Sequence, residues 1–246
     1  IPYQDALEIF AERGGDPLTA GKESPLDPIL WVAHKAGEPA WESKLGLGRP
    51  GWHVECTVIA LENLLGPNYL KVSAVKDYEI ELQGGGSDLI FPHHFMTAAI
   101  GTALTGNSFA SSYVHSGMVG LDGEKMSKSK GNLVFVSKLL AEGVDPVVIR
   151  VNLMQDRYRN DRMWSGAGLA QAEEKVLRIR SALSREEVAP TKPLINEIIS
   201  ALSSDLDTPK VFELVDRWCF DTEAGQTGGS SGEIARAFDA LLGLTF

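Results

Sequence analysis

The chain has 246 residues, of which 43% are hydrophobic and 23% charged, enough apolar material for one large domain or two smaller ones. Its net charge of −10 argues against a nucleic-acid partner, because phosphate neutralisation needs a basic face and 23 Lys and Arg stand against 33 Asp and Glu. Neither a membrane-length apolar run nor a secretion signal is present, so we expect a cytoplasmic protein with no membrane partner. Two cysteines are too few for a disulfide framework.

The first elements are a short helix and a long connection. Apolar residues recur at helical spacing between Asp5 and Arg13, and Gly14 is a typical stop signal. Residues 18–50 are rich in Gly, Pro, Ser and charge, which predicts an ordered surface excursion.

A second helix is predicted by the apolar run from Val54 to Leu65. Trp52, His53 and Cys56 lie at its start, where the helix dipole favours an anionic group such as a thiolate. Trp52 and Cys56 are four residues apart and share a face. Cys56 is therefore a candidate ligand, and the alternative is a small buried hydrophobe.

A strand followed by three glycines comes next. Alternation at Tyr78, Ile80 and Leu82, within the stretch 69–83, predicts the strand. Gly84-Gly85-Gly86 at its end allows close approach of a ligand to the backbone, and Asp88 supplies a carboxylate for a ribose or an amine. Of His93 and His94, one is a candidate ligand and the other is expected to pack, before a helix over 96–104.

The polar segment Gly117–Asn132 is a candidate phosphate loop. A short buried strand is predicted over 113–119 to deliver it, with His115 in a structural role. Lys125, Lys128 and Lys130 are compact charges able to follow phosphate oxygens. The alternative for this stretch is a solvated basic turn.

The rest of the chain is predicted to be helical. Asp145-Pro146 is a typical helix start, and apolar residues recur at three and four within 169–183 and 195–202. A further helix begins at Thr208-Pro209 and carries Cys219 on its apolar face, where the core is expected. The Gly- and Ser-rich residues 225–232 predict a linker or mobile loop before a last helix over 234–242.

Three motifs resemble the cysteine-activating branch of the class I aminoacyl-tRNA synthetases. They are KMSKS at residues 125–129, GRPGWHVEC at 48–56 and GGGSDLIFPHH at 84–94. The resemblance implies an α/β fold: the C-terminal part of a Rossmann-like nucleotide-binding domain over residues 1–150, then a helical bundle domain over 151–246. It also implies ATP with Mg²⁺ and L-cysteine as substrates, since the KMSKS loop of the family closes on the pyrophosphate of ATP.

The resemblance assigns roles to particular residues. Cys56 and His93 would bind one Zn²⁺, a metal that takes a thiol substrate more readily than a hydroxyl. Gly86, Ser87, Asp88 and Val119 would contact the adenylate, Trp52 would flank the substrate, and Asp88 would receive the incoming amine. Lys125 and Lys128 would act on the phosphates.

One departure from the family pattern and one further resemblance guide the choice of activity. Thr97 stands where a cysteinyl-tRNA synthetase has a metal-binding glutamate, and residues 12–17, ERGGDP, resemble a subgroup, the ligases that join cysteine to glucosaminyl-inositol in mycothiol synthesis. We therefore expect a ligase of that subgroup that does not use tRNA. A cysteinyl-tRNA synthetase fragment is the alternative, and a non-catalytic remnant that binds zinc or nucleotide is the third hypothesis. Because the chain lacks the HIGH-type motif, we expect that motif and a third zinc ligand on a preceding part of the same protein.

Overall fold

The computed structural model describes residues 1–71, 76–128 and 130–246. These residues form two compact units, Ile1–Ser116 and Gly117–Phe246. The domain boundary predicted after residue 150 stays a prediction, and the units divide earlier in the chain. Within the described ranges no helix combines the length and apolar character needed to cross a membrane.

The first unit is a mixture of helices and short strands. Its elements are α1 (Tyr3–Glu12), β1 (Trp31–Ala33), β2 (Gly48–Pro50), α2 (Trp52–Leu65), β3 (Tyr78–Gly86), α3 (Phe95–Thr105) and β4 (Ser108–Ser116). Helix α1 ends where the sequence predicts, because Gly14 takes a left-handed φ of 78°. The predicted surface excursion contains the antiparallel pair of β1 and β2.

Strands β3 and β4 form the parallel pair that positions the site. They run in register from Tyr78 opposite Ser108 to Gly86 opposite Ser116, with α3 in the connection between them. Their carboxyl ends therefore lie side by side, and the chain leaves β3 directly into a turn at Ser87. Residues 72–75, part of the stretch considered for the strand, lie outside the described residues.

The single buried strand predicted over 113–119 is wrong. Strand β4 stops at Ser116, a new strand begins at Val119, and the Tyr113 side chain is exposed. The cause is Gly117, where the chain leaves the β3–β4 pair and binds a different segment of the second unit.

The second unit combines a small sheet with a helical bundle. Its elements are β5 (Val119–Leu121), β6 (Glu124–Lys125), α4 (Val136–Ala141), α5 (Pro146–Met154), β7 (Arg162–Trp164), α6 (Gly166–Leu183), α7 (Thr191–Ser203), α8 (Thr208–Glu223) and α9 (Ser231–Leu242). Strand β5 pairs antiparallel with β6 and parallel with β7.

The helical bundle matches the sequence closely. Asp145 caps α5 by accepting a hydrogen bond from the Val147 N–H at 2.8 Å, as its Asp-Pro signal predicts. Cys219 is fully buried in the core, as predicted, and this burial raises the pKa of its thiol to about 12. The Gly- and Ser-rich connection before α9 is bonded to the segment after α6, because the Gly229 N–H donates to the Val188 carbonyl at 2.9 Å.

Candidate active site

The start of α2 is fixed by close backbone packing at Gly51. Its N–H donates to the Leu30 carbonyl at 2.9 Å, and a Cβ added at Gly51 would lie 1.7 Å from the Ile29 carbonyl oxygen. Only glycine fits such a contact. The first turn of α2 therefore presents Trp52, which is 65% exposed, at a defined place.

Trp52 and His53 meet His93, which comes from the turn before α3. The rings of Trp52 and His93 are 5.1 Å apart between centroids, and Nδ1 of His53 lies 2.9 Å from Nδ1 of His93. Burial, followed by the charge of His93, lowers the pKa of His53 to about 4. His53 is thus a neutral imidazole at neutral pH, able to accept a hydrogen bond from His93.

The neighbouring histidine takes part in a second pair. Nδ1 of His94 lies 2.7 Å from Nε2 of His115, and His94 is buried. Burial and the charge of His115 lower the pKa of His94, and the carboxylate of Asp88 opposes them. The sequence predicts that one histidine packs and the other faces the site. It does not reveal the two ring pairs, because their members are 40 and 21 residues apart.

Cys56 is one turn further along α2 and is half-buried. Burial raises the pKa of its thiol above the ordinary 9.0, Glu55 raises it further, and a hydrogen bond with Trp52 opposes both. This differs from the expectation that the helix N-terminus favours the thiolate. Burial disfavours the thiolate, so a nearby positive charge would be needed to hold one there.

The end of β3 packs tightly against His94. A Cβ added at Gly85 would lie 2.6 Å from Cε1 of His94 and 3.0 Å from a methyl carbon of Leu89. The glycine run therefore serves packing within the protein as well as any ligand. Gly86, Ser87 and Asp88 follow at the carboxyl edge of the β3–β4 pair, where ligands bind in open α/β sheets.

The predicted phosphate loop belongs to the second unit and begins with the β5–β6 hairpin. Lys125 ends β6, and Lys128 is exposed. Asn132 closes the loop: its Oδ1 accepts from the Ser127 N–H at 2.8 Å, and its Nδ2 donates to the Lys125 carbonyl at 3.3 Å. Lys130 forms an ion pair with Glu124 at 2.7 Å. Ser129, within KMSKS, lies outside the described residues.

Val119, predicted to contact the adenylate, lines a cavity of about 420 Å³ in the second unit. Asn152, Arg162 and Trp164 contribute to the same wall. The cavity is polar and open, which suits water or a small polar ligand.

The predicted zinc ligands Cys56 and His93 come from neighbouring elements of the first unit, α2 and the turn before α3. Among the residues that the structure describes, no three His, Cys, Asp or Glu side chains group so as to hold a metal ion. Zinc binding at these two residues stays a prediction.

Comparison with known proteins identifies the family. The family model described as the tRNA synthetases class I (C) catalytic domain matches residues 4–174, more than half of the chain. The chain belongs to this class I synthetase family. Membership confirms the α/β fold class predicted from the three motifs.

The class I synthetase chain is similar to several curated relatives. It is 52% identical over 239 residues to the L-cysteine:1D-myo-inositol 2-amino-2-deoxy-alpha-D-glucopyranoside ligase of Gordonia bronchialis, covering 96% of this chain and 55% of the relative. The Streptomyces griseus protein of the same name is 50% identical, with 96% and 56% covered. The chain thus spans about half the length of the curated relatives it matches.

A solved synthetase structure shares the fold of this family member. It is the crystal structure of the ternary complex of Agrobacterium radiobacter K84 agnB2 LeuRS-tRNA-LeuAMS, with a TM-score of 0.60 and 15% identity, covering 87% of this chain and 35% of the other. At that identity the likeness describes the fold alone.

Proposed function

We propose that the full-length protein is an ATP-dependent ligase that activates L-cysteine as cysteinyl-AMP and transfers it to the amine of glucosaminyl-inositol. The observation that carries the proposal is the identity of about half, over 96% of this chain, with relatives that bear the name of that ligase. The placement of Trp52 and His93 around one point of the first unit supports it.

The first step joins cysteine to AMP. The cysteine carboxylate attacks the α-phosphate of ATP, a new O–P bond forms, and the bond to the β-phosphate breaks to release pyrophosphate. Negative charge grows on the departing phosphates, and Lys125, Lys128 and Mg²⁺ would stabilise it. The exposed position of Lys128 lets its ammonium follow those oxygens.

The second step forms the amide. The neutral sugar amine attacks the carbonyl carbon of cysteinyl-AMP, a C–N bond forms, and the C–O bond to the phosphate breaks to release AMP, while the nitrogen gives up one proton to solvent. Gly86, Ser87, Asp88 and Val119 are proposed to contact the adenylate, and the Asp88 carboxylate would accept a hydrogen bond from the attacking amine. Catalysis then rests on positioning the two reactants, since no covalent bond to the protein is needed.

Cys56 and His93 are the residues that would hold Zn²⁺, and their chemistry fits the metal. Metal-binding histidines donate their second ring N–H to a partner, and His53 lies 2.9 Å from Nδ1 of His93 as a neutral acceptor. This leaves Nε2 of His93 for the metal. When bound, Zn²⁺ would favour the thiol of cysteine over the hydroxyl of serine.

Thr97 favours the ligase over a cysteinyl-tRNA synthetase, the second candidate, which the family description itself suggests. Its side chain is 2% exposed and its hydroxyl donates to the His93 carbonyl at 2.8 Å. The Thr97 carbonyl accepts from the Thr57 hydroxyl of α2 at 3.2 Å, so the position at which a synthetase has a metal-binding glutamate packs between α2 and α3.

The test offers both acceptors to the full-length protein. With ATP, Mg²⁺ and cysteine present, we expect AMP release and cysteine attached to glucosaminyl-inositol, with no charging of tRNA. Charging of tRNA without turnover of the amino sugar would make the protein a synthetase. Absence of cysteine-dependent pyrophosphate exchange would favour a non-catalytic binding protein.

A further inference from the structure

The end of α1 folds back in a way that fixes the position of Arg13. The Arg13 N–H donates to the Ile9 carbonyl at 3.1 Å, and the Gly15 N–H donates to the Phe10 carbonyl at 2.8 Å. A Cβ added at Gly15 would lie 2.4 Å from the Phe10 ring. The two glycines after Arg13 are thus needed for a tight reversal of the chain against its own helix.

Arg13 then contacts the turn that carries Asp88. One of its guanidinium nitrogens, Nη1, donates to the backbone carbonyls of both Asp88 and Phe91. These partners are 75 and 78 residues away in sequence, so the contact is tertiary. Hydrogen bonds from a charged donor are stronger than neutral ones, and this pair ties Asp88 and Phe91 to the end of α1.

The hydrophobic core holds α1 in the same place. Phe10 and Phe91 are 1% and 7% exposed, and their ring centroids are 6.3 Å apart. The His94 ring follows the turn, lies against Gly85 just before the turn, and is paired with His115. Asp88 therefore stands on a short segment that is held at both ends.

We propose that Arg13 is a positioning residue that holds the Asp88 carboxylate in place for the amine of the acceptor. The proposal rests on the proposed function, which gives Asp88 its role in the second step. It assigns a function to the ERGGDP segment, which the ATP and cysteine sites leave unused: Glu12–Pro17 provides the arginine and the glycines that aim it.

Lys22 separates positioning from simple support of α1. Its Nζ donates to the Gly15 carbonyl at 2.5 Å and lies 4.8 Å from the centre of the Phe10 ring. Lys22 stabilises the same reversal of the chain. Within the part of the chain that the structure describes, it makes no hydrogen bond to residues 88–91. Lys22→Ala is therefore the matched control for Arg13→Ala.

The experiment uses the full-length protein with Arg13→Ala, Lys22→Ala, Asp88→Asn and the double variant Arg13→Ala/Asp88→Asn. Cysteine-dependent pyrophosphate exchange reports the first step, and single-turnover amide formation reports the second. Since misplacement by about 1 Å costs about 100-fold, Arg13→Ala should slow amide formation by about 100-fold. Gly86, Ser87 and Asp88 are also proposed to contact the adenylate, so pyrophosphate exchange should slow as well, but by no more than about tenfold. Lys22→Ala should change both by only a few fold. In the Asp88→Asn background Arg13→Ala should cost little more, because both act through one carboxylate.

Two results would overturn the inference. One is an equal loss of both steps in Arg13→Ala, and the other is a full additional loss in the Asp88→Asn background; either makes Arg13 a structural residue. Amide hydrogen exchange over residues 86–91 tests the role of Arg13 independently of which acceptor the protein uses. If the wild-type protein forms no amide with the amino sugar, the proposed function fails and the amine role of Asp88 with it. Faster amide hydrogen exchange over residues 86–91 in Arg13→Ala, but not in Lys22→Ala, would still show that Arg13 holds the turn. Unchanged amide hydrogen exchange would reject this structural role of Arg13 as well.

Discussion

Gly117 is the first residue of the proposed phosphate loop, and replacing it by alanine should loosen the start of that loop. A Cβ at this position would lie 2.1 Å from the Asn160 carbonyl oxygen and 2.6 Å from the Asp161 nitrogen, both backbone atoms that cannot turn aside. Ordinary contacts are at about 3.5–4.0 Å, so the two segments must separate by about 1 Å or more.

Three hydrogen bonds join these segments and would be strained by that separation. The Gly117 N–H donates to the Tyr158 carbonyl at 2.7 Å, the Met118 N–H to the Asp161 carboxylate at 2.6 Å, and the Arg162 N–H to the Met118 carbonyl at 2.9 Å. Each contributes about 1 kcal/mol, and overpacking costs about 1–3 kcal/mol. With partial relaxation, we expect a loss of about 2–4 kcal/mol in the local opening free energy.

Amide hydrogen exchange over residues 117–125 in the full-length protein measures this loss. At about 1.4 kcal/mol per tenfold, protection should fall between about 30-fold and several hundredfold. The control is Gly166→Ala in the same unit, where an added Cβ meets no atom within 4 Å at the start of α6. That change should be neutral or stabilise by up to about 1 kcal/mol. Equal protection in the two variants would refute the packing argument.

Three further predictions concern the site and its surroundings. Elemental analysis should find that His93→Ala loses most of one bound zinc whereas His94→Ala keeps it, and equal retention would remove the zinc proposal. Lys128→Ala should lower cysteine-dependent pyrophosphate exchange by about two to three orders of magnitude with cysteine affinity within a few fold, and the reverse pattern would give the loop another role. Hydrogen bonds, first from Arg159, lower the pKa of Asp205 from 3.8 to about 2. Because the folded pKa is the lower one, this stabilisation is complete above about pH 4 and is lost toward pH 2, so thermal unfolding of Asp205→Asn should lack that acid dependence.

The sequence predicts the helices well because their signals are local. The glycine after Arg13, the Asp-Pro pair at Asp145 and the three-and-four spacing in α6 each act within a few residues. The fold class and the family also follow from short motifs, since KMSKS and GRPGWHVEC are specific strings.

The rest depends on contacts between distant residues. The pairing of His53 with His93 and the reach of Arg13 to the Asp88 turn leave no periodic signal in the sequence. The strand predicted over 113–119 fails for the same reason, because the partner that draws Gly117 away is 41 residues further on, at Tyr158. Cys56 shows a balance of forces that sequence cannot weigh: burial raises its pKa although the helix N-terminus favours the thiolate.

The ion pair of Lys130 with Glu124 would compete with a phosphate ligand inside the proposed phosphate loop. Both side chains are more than half exposed, at 52% and 61%, so solvent screens the attraction and the pair is weak. An arriving polyphosphate, with more charge than one carboxylate, can therefore take the ammonium from Glu124 at little cost. Added salt would screen both the Lys130–Glu124 ion pair and the attraction of the lysines for phosphate. Moderate ionic strength would therefore release Lys130 from Glu124 and at the same time weaken the binding of the polyphosphate.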